Sequence, residues 1–286
     1  MSRIVYVNGE YTPEVAAKIS VFDRGFIFGD GVYEVVPVIA GKPVDRDYFL
    51  ERLDRSLSEL SIAWPCSQGE YLEIMQELIA RNGLVEGIVY SQVTRGIADR
   101  DFTFPADTAP SLVAFTSSME LLNNPLAETG ISVATSEDIR WKRRDIKSVN
   151  LLAQCLAKQD AHSKGAYEGW MVEDGFVTEG VTSSAYIVKG NKVITRPLSN
   201  LILPGIRRRT LIEMAEREGI EIEQRLFTIE EALQADEAFI SSATTITLGV
   251  VSIDGEQIAD GKPGAITGKL RALYVERLLE EARSKN

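Results

Sequence analysis

Lys147 and Glu179 are the residues of this chain whose type and surroundings point most directly to chemistry. Lys147 stands in Arg143-Arg144-Asp145-Ile146-Lys147-Ser148-Val149-Asn150, and Glu179 in Val177-Thr178-Glu179-Gly180. A lysine amine can form an imine with an aldehyde and, once freed, carry a proton. A carboxylate can hold a heterocyclic nitrogen protonated, so that the ring draws electrons. Most lysines and glutamates sit in solvent, so the types alone carry little. Context singles out Lys147: Ser148 is suited to cap a helix whose apolar positions Leu151, Leu152, Cys155 and Leu156 recur at helical spacing. The spacing therefore predicts an amine held just ahead of a buried helix's first turn.

A second constellation suits an anion. In Leu203-Pro204-Gly205-Ile206-Arg207, glycine permits close backbone approach, and the helix expected to follow aims unpaired N–H groups and its positive dipole end forward. The same residues also describe an ordinary helix start behind Pro204. The one histidine, His162, falls at the end of the lysine helix before Lys164-Gly165, where the dipole suits a polar or cationic surface residue. With one histidine and two cysteines far apart, serine or cysteine hydrolysis and zinc binding lose their usual residues, and no metal site is expected. A cofactor-borne mechanism with lysine as the base survives this elimination.

The elements that must place these residues read as two α+β halves. Ile4 to Val7 and Ala17 to Val21 around Asn8-Gly9 suggest a hairpin, and Val32 to Ile39 a strand turning at Ala40-Gly41-Lys42. Phe49, Leu50, Leu53, Leu57 and Leu60 form one helical stripe; Leu72, Met75, Leu78 and Ile79 form another that stops at Asn82-Gly83. Strands resume at Ile88 to Thr94 and Leu112 to Ser117. The polar stretch with Asn123-Asn124-Pro125 makes residues 119–128 the expected linker between a smaller N-terminal domain, 1–118, and a larger C-terminal one, 129–286. The second half holds the lysine helix, short strands at 169–172, 185–188 and 193–195, and a helix over 205–218. A strand pair at 237–242 and 247–253 and an amphipathic helix from Ala265 to Arg283 complete it.

Composition narrows the partners. The 286 residues, 44% hydrophobic, suffice for a large core, and a net charge of −11 argues against nucleic acid. Cys66 and Cys155 show no metal-type spacing, and the second falls in the helix read as buried. With no signal-like apolar start and no run of membrane-spanning length, these features predict a cytoplasmic protein away from membranes.

The runs Asp138-Ile139-Arg140-Trp141, Asp145-Ile146-Lys147-Ser148, Leu151-Leu152-Ala153, Ala157-Lys158-Gln159 and Thr178-Glu179-Gly180 resemble the class IV aminotransferases, which are fold type IV pyridoxal-phosphate enzymes. Asp23-Arg24-Gly25-Phe26-Ile27-Phe28-Gly29-Asp30-Gly31-Val32-Tyr33-Glu34-Val35-Val36 and Gln92-Val93-Thr94-Arg95-Gly96 are most similar, within that class, to the D-amino-acid aminotransferases. Matching segments keep their order from about Asp23 to Lys269. The resemblance implies a two-domain α+β fold carrying pyridoxal 5'-phosphate, with Lys147 as the catalytic, cofactor-bearing lysine and Glu179 against the pyridine nitrogen. It implies a phosphate held at Gly205 by the Ile206 and Arg207 amides, by Arg52 and by the turn Ser242-Ala243-Thr244, with Thr182 and Ser183 near the ring. Tyr33, Arg100 and the position of Phe102 would meet the substrate carboxylate, in a homodimer whose loop 97–102 reaches the partner's site.

The activity so implied is transfer of the amino group of a D-amino acid, such as D-alanine or D-glutamate, to a 2-oxo acid such as 2-oxoglutarate, with (R)-amines as side substrates. Four positions depart from the pattern. Threonine is usual where Arg207 and Ala243 stand, asparagine where Ser184 stands and histidine where Phe102 stands. Hydroxyl bonds to the phosphate and one polar donor to the substrate carboxylate are therefore expected to be missing, while apolar surface is gained. A branched-chain L-amino-acid aminotransferase, an aminodeoxychorismate lyase releasing pyruvate, and a cofactor-binding protein without turnover are the other readings of these residues.

Overall fold

The computed structural model describes residues 2–284. It divides into two compact units: the described residues up to Glu120 with Ile146–Asn150 and those from Leu278 onward, and a second formed by Leu121–Asp145 and Leu151–Arg277. Lys147 thus packs with the N-terminal unit, although the segments flanking Ile146–Asn150 on either side belong to the other.

The first unit contains β1 (Ile4–Val7), β2 (Glu10–Pro13), α1 (Arg24–Phe28), β3 (Gly31–Ile39), β4 (Lys42–Pro43), α2 (Arg46–Glu59), α3 (Gln68–Arg81), β5 (Gly87–Thr94) and β6 (Ser111–Ser118). The strands form one antiparallel sheet in the order β2-β1-β6-β5-β3-β4. Asn8-Gly9 does turn a hairpin, but the returning strand is β2, pairing Val7 with Glu10, and residues 17–20 are irregular. A two-residue turn whose residues both adopt positive φ leaves no room for the longer return. The stripe on α2 buries Phe49, Leu53 and Leu57, and the helix packs on β3. A capping box between Ser67 and Glu70 starts α3.

The second unit contains α4 (Leu126–Thr129), β7 (Ile131–Glu137), α5 (Leu152–Ser163), β8 (Glu168–Glu173), β9 (Phe176–Gly180), β10 (Ser184–Lys189), β11 (Lys192–Thr195), α6 (Ile206–Arg217), β12 (Glu221–Gln224), α7 (Ile229–Leu233), β13 (Glu237–Ser242), β14 (Ile246–Ile253), β15 (Glu256–Gln257) and most of α8 (Ala265–Arg283). Its mixed sheet runs β12-β11-β10-β13-β14-β7-β8-β9, with β15 on β14. Trp170, Ile187, Ile194, Phe227, Ile240 and Leu248 lie at the heart of the core behind this sheet.

One expectation about the lysine helix is overturned. The helix begins at Leu152, with Leu151 as its N-cap and no side-chain cap, so Ser148 does not cap it. The residues read as its buried stripe lie outside: Leu152 is 74% and Leu156 55% exposed, and Cys155 is an exposed free thiol. The small residues Ala157 and Ala161 face inward instead, since α5 packs on β7 and β8 closely enough to need them. The hydrophobic period was right and its direction was inverted. His162 is exposed in the last turn, as expected.

Candidate active site

The segment Ile146–Asn150 lies beside β3 and pairs with it through a single isolated bridge. Tyr33 N–H donates to the Lys147 carbonyl at 3.0 Å, Val149 N–H donates to the Gly31 carbonyl at 3.1 Å, and Val32 and Ser148 form an antiparallel bridge. Lys147 N–H donates to Ser56 Oγ on α2 at 3.3 Å. The lysine backbone is therefore pinned on both sides, which leaves only the side chain free to move. Its amine stands 4.1 Å from the centre of the Tyr33 ring, and Tyr33 itself stacks on Tyr90. Position thus comes from strand pairing and not from a helix cap.

Arg52 is not solvated. It is buried on α2 and grips Glu34 of β3 with both arms of its fork, Nε to Oε1 at 2.8 Å and Nη2 to Oε2 at 2.7 Å. Ser56, one helical turn further on, is the residue that holds the Lys147 amide, so one face of α2 serves both. Arg100 and Phe102 lie in the exposed loop after β5; Phe102 is 76% exposed and packs against Phe28, and the Arg100 guanidinium lies near both rings.

In the second unit Glu179 is the buried terminus of a charge chain. Arg140 Nη1 donates to Glu179 Oε1 at 2.5 Å, while its Nε and Nη2 grip Asp138 at 2.9 and 2.7 Å. Thr178 Oγ1 donates to Asp138 at 2.6 Å, and Arg144 bridges Asp138 and Glu173. The Leu203 amide donates to both Glu179 oxygens at 3.2 Å. Burial pushes the Glu179 carboxyl up, and the Arg140 guanidinium and the Leu203 amide oppose it. Burial would also raise Asp138, but Arg140, Thr178 and Arg144 hold it below the usual carboxylate range. Asp138 and Arg140 were not recognised as functional from sequence. They adjoin Glu179 because β7 and β9 flank β8, a pairing that no local spacing reveals.

Of the residues expected to hold phosphate, Gly205, Ile206, Arg207 and the turn 242–244 lie in this unit, whereas Arg52 belongs to the first. Gly205 caps α6 without a side-chain hydrogen bond, which suits a helix start to an anion. The α8 start differs, since Glu237 accepts from the Ile266 and Thr267 amides. A side chain at Gly205 would come within 2.9 Å of Ser184 Oγ, so glycine is what allows that approach. Arg207 does not turn to solvent: it is buried, donates to the Ala243 carbonyl at 3.2 Å and lies over the Tyr274 ring, which ties the α6 start to the turn 242–244. In that turn Ser242 Oγ meets Thr244 Oγ1 and Thr245 Oγ1 at 3.3 and 2.9 Å. Ser183 Oγ is buried without a partner among the described residues, whereas Thr182 is exposed and donates to Glu168 at 2.5 Å. A glycine at 180 is required by the tight return, for its Cβ would fall on Ser183 Oγ.

An uncapped helix start beside a hydroxyl-bearing turn, an unpaired buried hydroxyl and a carboxylate held by a buried arginine fit a phosphorylated pyridine. A lysine pinned at its backbone and free at its amine fits the aldehyde of such a cofactor. The chain belongs to the class IV aminotransferases: the model described as Amino-transferase class IV matches residues 31–253. It is an aminotransferase, and class IV aminotransferases use pyridoxal 5'-phosphate.

Among known proteins the chain is 40% identical to a D-alanine aminotransferase of Staphylococcus haemolyticus over 268 residues, 93% of this chain and 95% of that one. It is 36% identical to a D-alanine aminotransferase of Bacillus licheniformis over 277 residues, 97% and 98% of the two chains. Among solved structures it resembles the branched-chain amino acid aminotransferase of Escherichia coli, with a TM-score of 0.91, 24% identity and coverage of 100% and 97%. The corresponding enzyme of Thermoproteus uzoniensis gives a TM-score of 0.87 at 24% identity, covering 99% and 97%. At that identity the structural likeness establishes the fold alone, which is the α+β architecture of fold type IV.

Proposed function

We propose that this enzyme transfers the amino group of D-amino acids, D-alanine and D-glutamate foremost, to 2-oxo acids such as 2-oxoglutarate. The observation that carries it is the 36 to 40% identity to D-alanine aminotransferases over nearly the whole chain. The bound cofactor supplies the electron sink that acidifies the substrate α-carbon. Lys147 would hold the aldehyde and, when freed by the donor amine, take the proton at that carbon. Glu179, braced by Arg140, would keep the pyridine nitrogen protonated. The first-turn amides of α6 at Ile206 and Arg207, the turn Ser242-Ala243-Thr244 and Arg52 would hold the phosphate, with Thr182 and Ser183 near the ring. Tyr33 and Arg100 would receive the substrate carboxylate, and Phe102 in place of the usual histidine would weaken that grip while accepting an apolar substituent such as that of 1-phenylethylamine.

The working form in this proposal is a cytoplasmic homodimer. Phe22, Phe26, Ile97, Phe102 and Phe104 are all exposed around paired segments 22–24 and 96–98, an apolar surface that a second copy would cover. No helix among the described residues is long and apolar enough to cross a membrane. Kinetics on matched D and L pairs with 2-oxoglutarate test the stereochemical assignment: turnover of D-alanine and D-glutamate is expected. A clear preference for L-leucine or L-valine would move the enzyme to branched-chain L-amino acids, and pyruvate release without an acceptor would make it a lyase. Sedimentation tests the dimer, and mixing inactive Lys147→Ala with inactive Arg100→Ala subunits is expected to restore part of the activity.

A further inference from the structure

Arg24 is 2% exposed and has no part in the chemistry described so far. Its Nε donates to Asp30 Oδ2 at 2.8 Å, and its Nη1 donates to the carbonyls of Asp101 at 2.6 Å and Thr103 at 3.3 Å. Those carbonyls lie on either side of Phe102. The guanidinium also covers the Phe28 ring at 4.7 Å, the ring against which Phe102 packs at 5.5 Å and near which Arg100 lies at 5.6 Å. We propose that Arg24 is a positioning residue for recognition of the substrate carboxylate: it fixes the backbone around Phe102 and so determines where Arg100 and Phe102 are presented. This rests on the assignment of loop 97–102 to the carboxylate site.

The geometry explains why an arginine is needed. Loop residues 101–104 are exposed and have little packing of their own, so their order depends on the bonds made to their backbone. A planar fork spreads its donors over three nitrogens and can span one carboxylate and two carbonyls, whereas a lysine amine gathers its three donors on one atom. Asp30 orients the fork and is itself held by Arg95, whose other arms take the carbonyls of Leu60 and Ser61 and whose guanidinium stacks on Phe104 at 3.6 Å. Asp101 Oδ1 accepts from the Thr103 amide and hydroxyl at 2.8 and 2.9 Å, which closes a tight turn over Phe102. The loop is thereby anchored from beneath by Arg24 and at its outer end by Phe104.

The experiment uses the holoenzyme with Arg24→Lys, Phe104→Leu and Arg100→Ala. Arg24→Lys is expected to raise the KM for D-alanine and for 2-oxoglutarate roughly tenfold, with kcat changed by less than about threefold. The rate at which methoxyamine, an amine without a carboxylate, bleaches the cofactor absorbance is expected to stay at the parent value. Phe104→Leu leaves the buried ion pairs intact and is expected to raise both KM values about threefold in the same pattern, which carries the test if Arg24→Lys does not fold. Parent KM values in both variants overturn the proposal, as does equal loss of KM, kcat and methoxyamine reactivity, the mark of general damage. Arg100→Ala separates the layers. A raised KM there with no effect of Arg24→Lys or Phe104→Leu overturns the role of Arg24 alone, whereas an unchanged KM in Arg100→Ala overturns the loop assignment with it.

Discussion

Two buried arginine–carboxylate clusters do different work in the two units. Around Glu179, Arg140 spends its whole fork on the acids Asp138 and Glu179, while Arg144 divides its own between Asp138 and Glu173 and the carbonyls of Trp141 and Arg140. Around Asp30, the arginines Arg24 and Arg95 share one acid and spend their remaining arms on the carbonyls of residues 60, 61, 101 and 103. Arg140 fixes a charge, whereas both arginines of the second cluster fix a chain. Both clusters need burial, because low dielectric makes each bond strong and each missing partner costly.

Replacing one arginine in each cluster gives the largest effects and would break the comparison if the two responded alike. Arg140→Met leaves Asp138 and Glu179 short of their shared partner and is expected to cost about 3–5 kcal/mol. Arg95→Met leaves Asp30 paired with Arg24 and strands mainly carbonyls, with an expected cost of about 1–3 kcal/mol. Denaturant midpoints with the slope held constant measure both. Glu179→Gln is expected to lower kcat roughly 10²–10³-fold while cofactor affinity changes little, because the phosphate anchors remain; parent activity in that variant would remove Glu179 from its role.

Acid sharpens the contrast further. Asp138 and Asp30 both have carboxyls held low by arginines after burial alone would have raised them. A depressed folded pKa contributes stability that is complete above the unfolded value of about 3.9 and is lost as pH falls through the folded value. Unfolding midpoints are therefore expected to drop below about pH 4, and Asp138→Asn or Asp30→Asn to flatten that drop. The smallest effect is expected from Phe102→His, a shift of a few-fold toward D-glutamate and away from primary amines. A variant that shifts neither takes Phe102 out of the carboxylate site.

Much of this was legible in the chain because periodicity and turn chemistry are local. The α2 and α3 stripes, β8, β10, β11, β13 and β14, the α6 start at Gly205 and the whole of α8 lie where the spacing puts them, whereas β7, β12, β15 and the Glu179 strand β9 are not marked by it. The hairpin partner of β1 and the inward face of α5 were misread for a physical reason: an apolar stripe reports amphipathicity but not which side is covered, and Leu152 and Leu156 point outward. Lys147 and Glu179 stood out by type and context. Arg140 and Arg24 did not, since their partners arrive through strand order and through a loop 77 residues away. Long-range pairing is what sequence spacing cannot report.

The central claim is that Lys147, pinned between β3 and α2 with its amine free, carries the cofactor. Borohydride reduction of the holoenzyme followed by peptide mass mapping tests it directly. The account predicts a pyridoxyl group on the peptide containing Lys147 and loss of that label in Lys147→Ala. A pyridoxyl group on any other lysine of the parent enzyme would contradict it.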